Sequence, residues 1–230
     1  GQSGGQGLIG GIQFDEKDVL KLKRIKGVDS LAPYFTKTIK IEYKTKAEFS
    51  SLLATTGDSF KVTNLVIDEG RAFTNADNEK GVKIVVLGAE IAKKLFGSGN
   101  DTIGKSVRIQ GQRYTVTGIL KKTGGGALGS EADKHSIVPY RSAFALNPGK
   151  KFFAIYLKAK TGENITALKA EIKKTLLKRY KEDDFSVTEQ AELLSTINSI
   201  FSILNIVLVA IAAISLVVGG IGIMNIMYVS

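Results

Sequence analysis

The apolar positions of this 230-residue chain change their period along its length, and that change marks out its elements. Residues 1–14 are rich in Gly and Gln and close in the alternating run LIGGIQF, a linker leading into a strand. Asp15 is placed to cap a helix, with Asp18 three residues on. Val19, Leu22 and Ile25 mark one face of that helix, and Gly27 supplies its stop. An extended segment follows and is interrupted at Pro33. Ile39, Ile41 and Tyr43 then alternate with Thr38, Lys40 and Glu42, the signature of a strand with one buried face.

A similar unit returns near residue 150. Residues 152–158 (FFAIYLK) read as a strand, and Asn164 caps a helix with Ile165, Leu168, Ile172 and Leu176 on one face. Residues 185–187 read as a short strand after the polar turn KEDD. Two strand–helix–strand units together make a split βαβ sandwich of ferredoxin-like type. The segment between them has its own signals. Residues 55–77 alternate short extended runs with turn residues, KIVVL is a strand, and AEIAKKLF is a short helix stopped at Gly97. Residues 107–110 and 113–120 flank Gly111 and Gln112 as a hairpin, and residues 135–138 form a strand before Pro139. The expected fold class is therefore α+β: one subdomain from residues 1–46 and 150–188, and an inserted α+β subdomain from 47–149.

The last stretch follows neither period. No Lys, Arg, Asp or Glu occurs after Glu192. A bilayer core of roughly 30 Å needs only ~20 apolar residues as a helix. Thirteen Leu, Ile and Val residues stand between Ile203 and Met224; on the insertion scale they contribute roughly −4 to −8 kcal/mol. Residues 189–230 thus read as a stalk helix continuous with a membrane-spanning helix. Core helices of soluble domains are usually much shorter. Ser215, Gly219 and Gly222 stand at i, i+4 and i+7 with Gly220 beside them, so another helix can approach that face closely. Asn205 and Asn225 add carboxamides, which in lipid turn towards protein or a polar path.

The formal net charge of +10 raises the possibility of nucleic-acid binding. The basic residues are spread over the whole polar part and mixed with acids, so no nucleic-acid partner is expected. A Lys-rich solvated surface near anionic lipid accounts for them. The absence of cysteine excludes disulfides and thiol chemistry. The chain starts at Gly1 rather than Met and reads as a segment of something longer, with any export signal upstream. Residues 99–106, GNDTIGKS, match the phosphate-loop pattern letter for letter. That chemistry needs a strand before the loop and a helix after it. Here a helix precedes and a strand follows, so the match reads as a turn. His135 stands alone, and Glu69, Asp183 and Asp184 have no partner at a fixed spacing, so no catalytic, cofactor or metal site is expected. Gly124, Gly125, Gly126 and Gly129 form a loop tip suited to partner contacts.

Two of these stretches carry a family resemblance. The run from TTGDSFKV to RYTVTGIL resembles the extracytoplasmic core domain of MacB-type ABC transporter permeases, within the FtsX-like permease family. The closing ISLVVGGIGIMNIMYVS is similar to the second membrane helix of that family. Thr102 stands where the family turn usually has Pro. The resemblance implies a porter-like α/β subdomain, an inserted second one, and a first membrane helix upstream. It implies a permease that is not itself an enzyme, with ATP and Mg²⁺ on a nucleotide-binding domain outside this chain. It places residues 1–190 outside the membrane of a bacterial cell. The implied partners are membrane lipid, a second permease chain in a dimer, the cytoplasmic ATPase, and an adaptor or membrane fusion protein. Motion driven by ATP would pass along the stalk to export or extract a drug, a peptide or a lipoprotein. A membrane-anchored ligand-binding or sensor domain without transport is the alternative.

Overall fold

A computed structural model describes residues 13–97, 101–123 and 130–229. The chain divides into two units, Gly1–Phe185 and Ser186–Ser230.

The first unit is built on an unusually long strand, β1 (Val28–Tyr43). Helix α1 (Glu16–Lys23) precedes it, begun by a reciprocal capping box between Asp15 and Asp18. Strand β2 (Lys46–Thr55) returns along β1 through a tight turn at Lys44, with Tyr43 opposite Lys46. A short helix α2 (Ser59–Val62), strand β3 (Ile67–Gly70) and helix α3 (Asn75–Glu79) follow. Then come β4 (Ile84–Leu87), α4 (Ala89–Phe96), β5 (Ser106–Ile109) and β6 (Gln112–Leu120). Helix α5 (Ser130–Asp133) and strand β7 (His135–Pro139) lead into a 3₁₀ segment, Tyr140–Leu146. Strand β8 (Ala154–Ala159) and helix α6 (Ile165–Leu177) complete the unit.

The strand pairings form a closed ring. β1 pairs with β2, β2 with β7, β7 with β4, β4 with β6, β6 with β5, and β5 again with β1. Alternate residues of these strands share one core: Ile39 and Ile41, Leu52 and Ala54, Val85 and Leu87, Val107 and Ile109, Tyr114 and Val116. Each fully buried aliphatic side chain of this kind contributes about 1.5–3 kcal/mol. Ile91, Leu95 and Phe96 of α4 pack into the same core. The opposite faces of β4 and β7 are also covered, because Ile84, Val86 and Ile137 pack with Phe60 and Phe73. A strand buried on both faces reads as a continuous apolar run, and IVVL is one.

The first half of β1 has a different neighbour. Residues 28–34 pair antiparallel with β8, and Phe14 bridges Phe152, which precedes β8. β1 runs through Pro33 without the interruption expected there. At Pro33 it pairs with β8 alone, so a residue without an N–H leaves no second ladder short of a donor. α1 and α6 lie against each other beside this pair, burying Leu22, Leu168, Ile172 and Leu176.

Two further expectations need correction. Residues 185–187 form no strand, so the second βαβ unit lacks its closing strand; an alternating triplet with no partner edge cannot hold an extended ladder. The β5–β6 turn falls at Gln110 and Gly111, one residue earlier than the Gly111–Gln112 reading. Both take positive φ, +49° and +80°, as a two-residue type I′ turn requires.

Gly88 begins α4 where a Cβ would lie 2.3 Å from the carbonyl oxygen of Asp133. Gly88→Ala should therefore lower the unfolding free energy of the first unit by on the order of 2 kcal/mol in urea titrations, through forced backbone displacement.

Candidate functional site: a bare apolar helix and the clamp before it

Helix α7 (Gln190–Val229) runs for 40 residues without a break. Within it Leu194–Ile221 is long and apolar enough to cross a membrane, and none of that window is buried. Leu216 is 80% exposed and Val209 68%. A helix so apolar on every side is stable only where something apolar surrounds it. At 1.5 Å per residue it spans about 60 Å, twice the thickness of a bilayer core.

The small residues expected to pack are on this helix, and their surroundings are open. A Cβ at Gly219 or Gly220 would meet nothing within 4 Å. The Ser215 hydroxyl donates to the Ile211 carbonyl at 2.9 Å, so its polarity is satisfied within the helix. Thr196 and Ser199 do the same towards Glu192 and Ser195, at 3.0 Å each. The surroundings of Gly222 and the side chain of Asn225 lie outside the described residues, as do Gly124, Gly125, Gly126 and Gly129. Helical spacing also puts Asn198, Ser202 and Asn205 on one face, a polar stripe to which sequence reasoning contributed only Asn205.

The described part of the phosphate-loop look-alike, residues 101–106, is a turn running into a strand. Gly104 takes φ +80°, its N–H donates to the Val116 carbonyl at 2.8 Å, and the Lys105 N–H donates to Thr102. Strand β5 follows directly. These amides are committed to the fold and cannot cradle a phosphate. His135 contributes its backbone carbonyl, which accepts from the Gly88 N–H at 2.8 Å. Glu69 lies exposed in β3, and Asp183 and Asp184 lie in an exposed 3₁₀ turn.

The polar cluster that the structure does assemble stands where the first unit ends. Asp15 caps α1, and Asp18, three residues on, is only 1% exposed. Arg179, just past α6, reaches both. Its guanidinium donates to the two Asp15 oxygens at 2.9 and 2.8 Å, and also to Asp18 Oδ1. The Tyr180 hydroxyl donates to Asp18 Oδ2 at 2.6 Å, and its ring meets Phe14 edge-on. Lys151 lies 3.8 Å from Asp15. The hydrogen bond from Arg179 is the main reason the Asp15 carboxyl is held well below the usual carboxylate range. Burial, with Asp18 beside it, pushes the Tyr180 phenol above its ordinary value. The residues involved are 161 to 164 apart in the chain, so sequence reasoning found the cap at Asp15 and missed its partner.

Removing Arg179 strips a buried carboxylate of its charged partner. Arg179→Ala should cost the first unit on the order of 2–4 kcal/mol at pH 7. Because the Asp15 carboxyl is depressed on folding, its share is fully present above the unfolded value near 4 and fades as pH falls. The gap between wild type and variant in urea unfolding should accordingly narrow from pH 7 to pH 3. A second measurement concerns α7. The complete chain should enter the detergent-rich phase on cloud-point separation, whereas a chain ending at Phe185 should stay in water.

Comparison with known proteins agrees with this geometry. The family model described as "MacB-like periplasmic core domain" matches residues 2–175. The chain is 31% identical over 220 residues to a macrolide export ATP-binding/permease protein MacB of Wolinella succinogenes, covering 93% of this chain and 33% of the relative. It is 31% identical over 228 residues to an uncharacterized ABC transporter permease of Methanocaldococcus jannaschii, covering 94% and 53% respectively. The chain therefore spans roughly a third to a half of the length of these relatives. The crystal structure of the periplasmic region of MacB from Actinobacillus actinomycetemcomitans shares the fold, with a TM-score of 0.71 at 19% identity, over 81% of this chain and 84% of that one. On the family match across most of its length, the chain belongs to the MacB-like periplasmic core domain family.

Proposed function

We propose that this chain is the extracytoplasmic core and one membrane helix of an ABC transporter permease. Helix α7 crosses a bacterial cell membrane, and residues 1–190 lie outside it. ATP binding and hydrolysis, with Mg²⁺, occur on a cytoplasmic ATPase domain outside these 230 residues. The chain works as one half of a paired permease, and its core moves a drug, a peptide or a lipoprotein, directly or through an adaptor protein. In this reading residues 1–46 and 150–188 form a porter-like α/β subdomain with ferredoxin-like parentage. Residues 47–149 form the inserted one.

The observation that carries the reading is the unbroken α7, an apolar rod of 40 residues following directly on a core of this family. A helix longer than the bilayer is thick conveys displacement from one side to the other, because its backbone hydrogen bonds leave it little room to compress. An anchor needs only ~20 apolar residues and no stripe of glycines. Ser215, Gly219, Gly220, Gly222 and Asn225 are the packing face towards a neighbouring helix. Similarity to the macrolide export protein of Wolinella succinogenes supports a small-molecule substrate.

The test uses the complete permease with its ATPase in proteoliposomes, supplied with a labelled macrolide, a peptide or a lipid-anchored protein. ATP-dependent movement of at least one probe is expected, and movement of none overturns the transport reading. Gly219→Leu should keep ATP hydrolysis near the wild-type rate and lose transport at least tenfold. A variant that transports normally would remove Gly219 from the packing face.

A further inference from the structure

The first turn of α1 is used on two sides at once. Asp15 and Asp18 hold Arg179 and Tyr180, the last residues before the exit towards α7. Glu16, between them, faces a different part of the fold. Its Oε1 accepts from the Tyr140 hydroxyl at 3.0 Å and from the Arg141 guanidinium at 3.2 Å. The Arg141 backbone N–H in turn donates to Asn78 Oδ1 at 3.2 Å, and Asn78 is buried at 3% exposure in α3. The Tyr140 ring packs edge-on against Phe152 within the ring core.

We infer that the acidic first turn of α1 is a mechanical joint: it passes displacement of the exit segment to residues 140–146 and helix α3, with Arg179 and Arg141 as positioning residues on its two sides. The inference rests on the transport reading above and names the place where motion from α7 would enter the core.

Three features support it. After Tyr180 the contacts are exposed ones: the Lys181 N–H donates to Asp184, and Lys173 of α6 pairs with Glu182. Residues 185–189 belong to no strand or helix. A pull or twist arriving along the chain from Ser186 meets these exposed contacts first, and at Tyr180 and Arg179 it meets a buried anchor, the Asp18 carboxylate. The turn they grip is also stiff. All four Asp15 and Asp18 oxygens accept hydrogen bonds, from Lys17, Asp18 and Asp15 amides as well as from Arg179 and Tyr180. A turn so fixed moves as a unit and carries Glu16 with it. Finally, Arg179 holds both Asp15 oxygens with its planar guanidinium, a two-point grip that a lysine cannot reproduce.

Hydrogen exchange of the complete chain in detergent tests the joint without requiring transport. Arg179→Lys keeps the charge and loses the fork. It should raise exchange of amides 140–146 at least threefold, although Arg179 bonds to Asp15 and Asp18 instead. Glu16→Gln should give the same rise, and the double variant no more than Glu16→Gln alone, as links in series require. Amides of the β5–β6 hairpin should keep their wild-type rates. An unchanged 140–146 segment overturns the joint, and so does a uniform rise that includes the hairpin. In the complete permease with its ATPase, both single variants should move at least threefold less substrate per ATP at equal ATP turnover. Unchanged substrate per ATP removes the joint from transport. If wild type moves no substrate, the transport reading fails, while the exchange data still decide whether the turn couples its two sides.

Discussion

Strand β1 belongs to two sheets, and neither sheet can shift without it. Its first half pairs with β8 beside α1 and α6, and its second half with β2 and β5 in the closed ring. A strand is held by a ladder of hydrogen bonds on each edge, and sliding it by one residue would turn every side chain to the wrong face. Ile39 and Ile41 would leave the ring core together. The sixteen residues of β1 therefore fix the register of the whole first unit. Among the described residues each strand of the ring pairs with two others in it, whereas β3 and β8 each pair with one strand.

Against this rigid frame, the charged residues have a narrower task. Burying Asp18 costs free energy that only full hydrogen bonding offsets. Arg179 and Tyr180 supply it from the far end of the unit, and the Phe14–Tyr180 ring contact shields the site. The same turn supplies Glu16 to Tyr140 and Arg141. A helix start, where four amides lack partners, thus becomes the place where three distant segments meet. Most ion pairs elsewhere are exposed, such as Lys40–Glu42 and Lys94–Glu90, and add little to stability.

Helix α7 obeys the opposite rule. The hydroxyls of Thr196, Ser199 and Ser215 are turned back onto its own carbonyls, and its aliphatic side chains are left uncovered. In lipid that is the stable arrangement, because every backbone group must be satisfied within the segment. In water the same surface would drive association. The polar stripe of Asn198, Ser202 and Asn205 then stands out in the first half of the helix, before Gly219 and Gly220.

Local chemistry was legible in the sequence. The 3.6 period and the flanking glycines gave α4 its observed span, Asp15 and Asn164 cap α1 and α6 as read, and the absence of charge after Glu192 defined α7. Each depends on residues a few positions apart, within reach of one turn of helix or one hairpin. Strand β2 went unread, because KAEFSSLLAT carries polar residues on its covered face: Ser50 hydrogen-bonds the Ser136 hydroxyl, a partner 86 residues away. Residues 185–187 failed in the reverse sense, since their alternation had no edge to join. Ring closure, the passage of β1 through Pro33, and the pairing of Asp18 with Arg179 likewise depend on segments brought together only by folding. The sequence alone determined the capped helices α1 and α6, helix α4 and the membrane-like stretch, because propensity, capping and hydropathy act over a few residues. The tertiary structure decided which strand meets which and which charge meets which, because those partners lie up to 164 residues apart and nothing local specifies them.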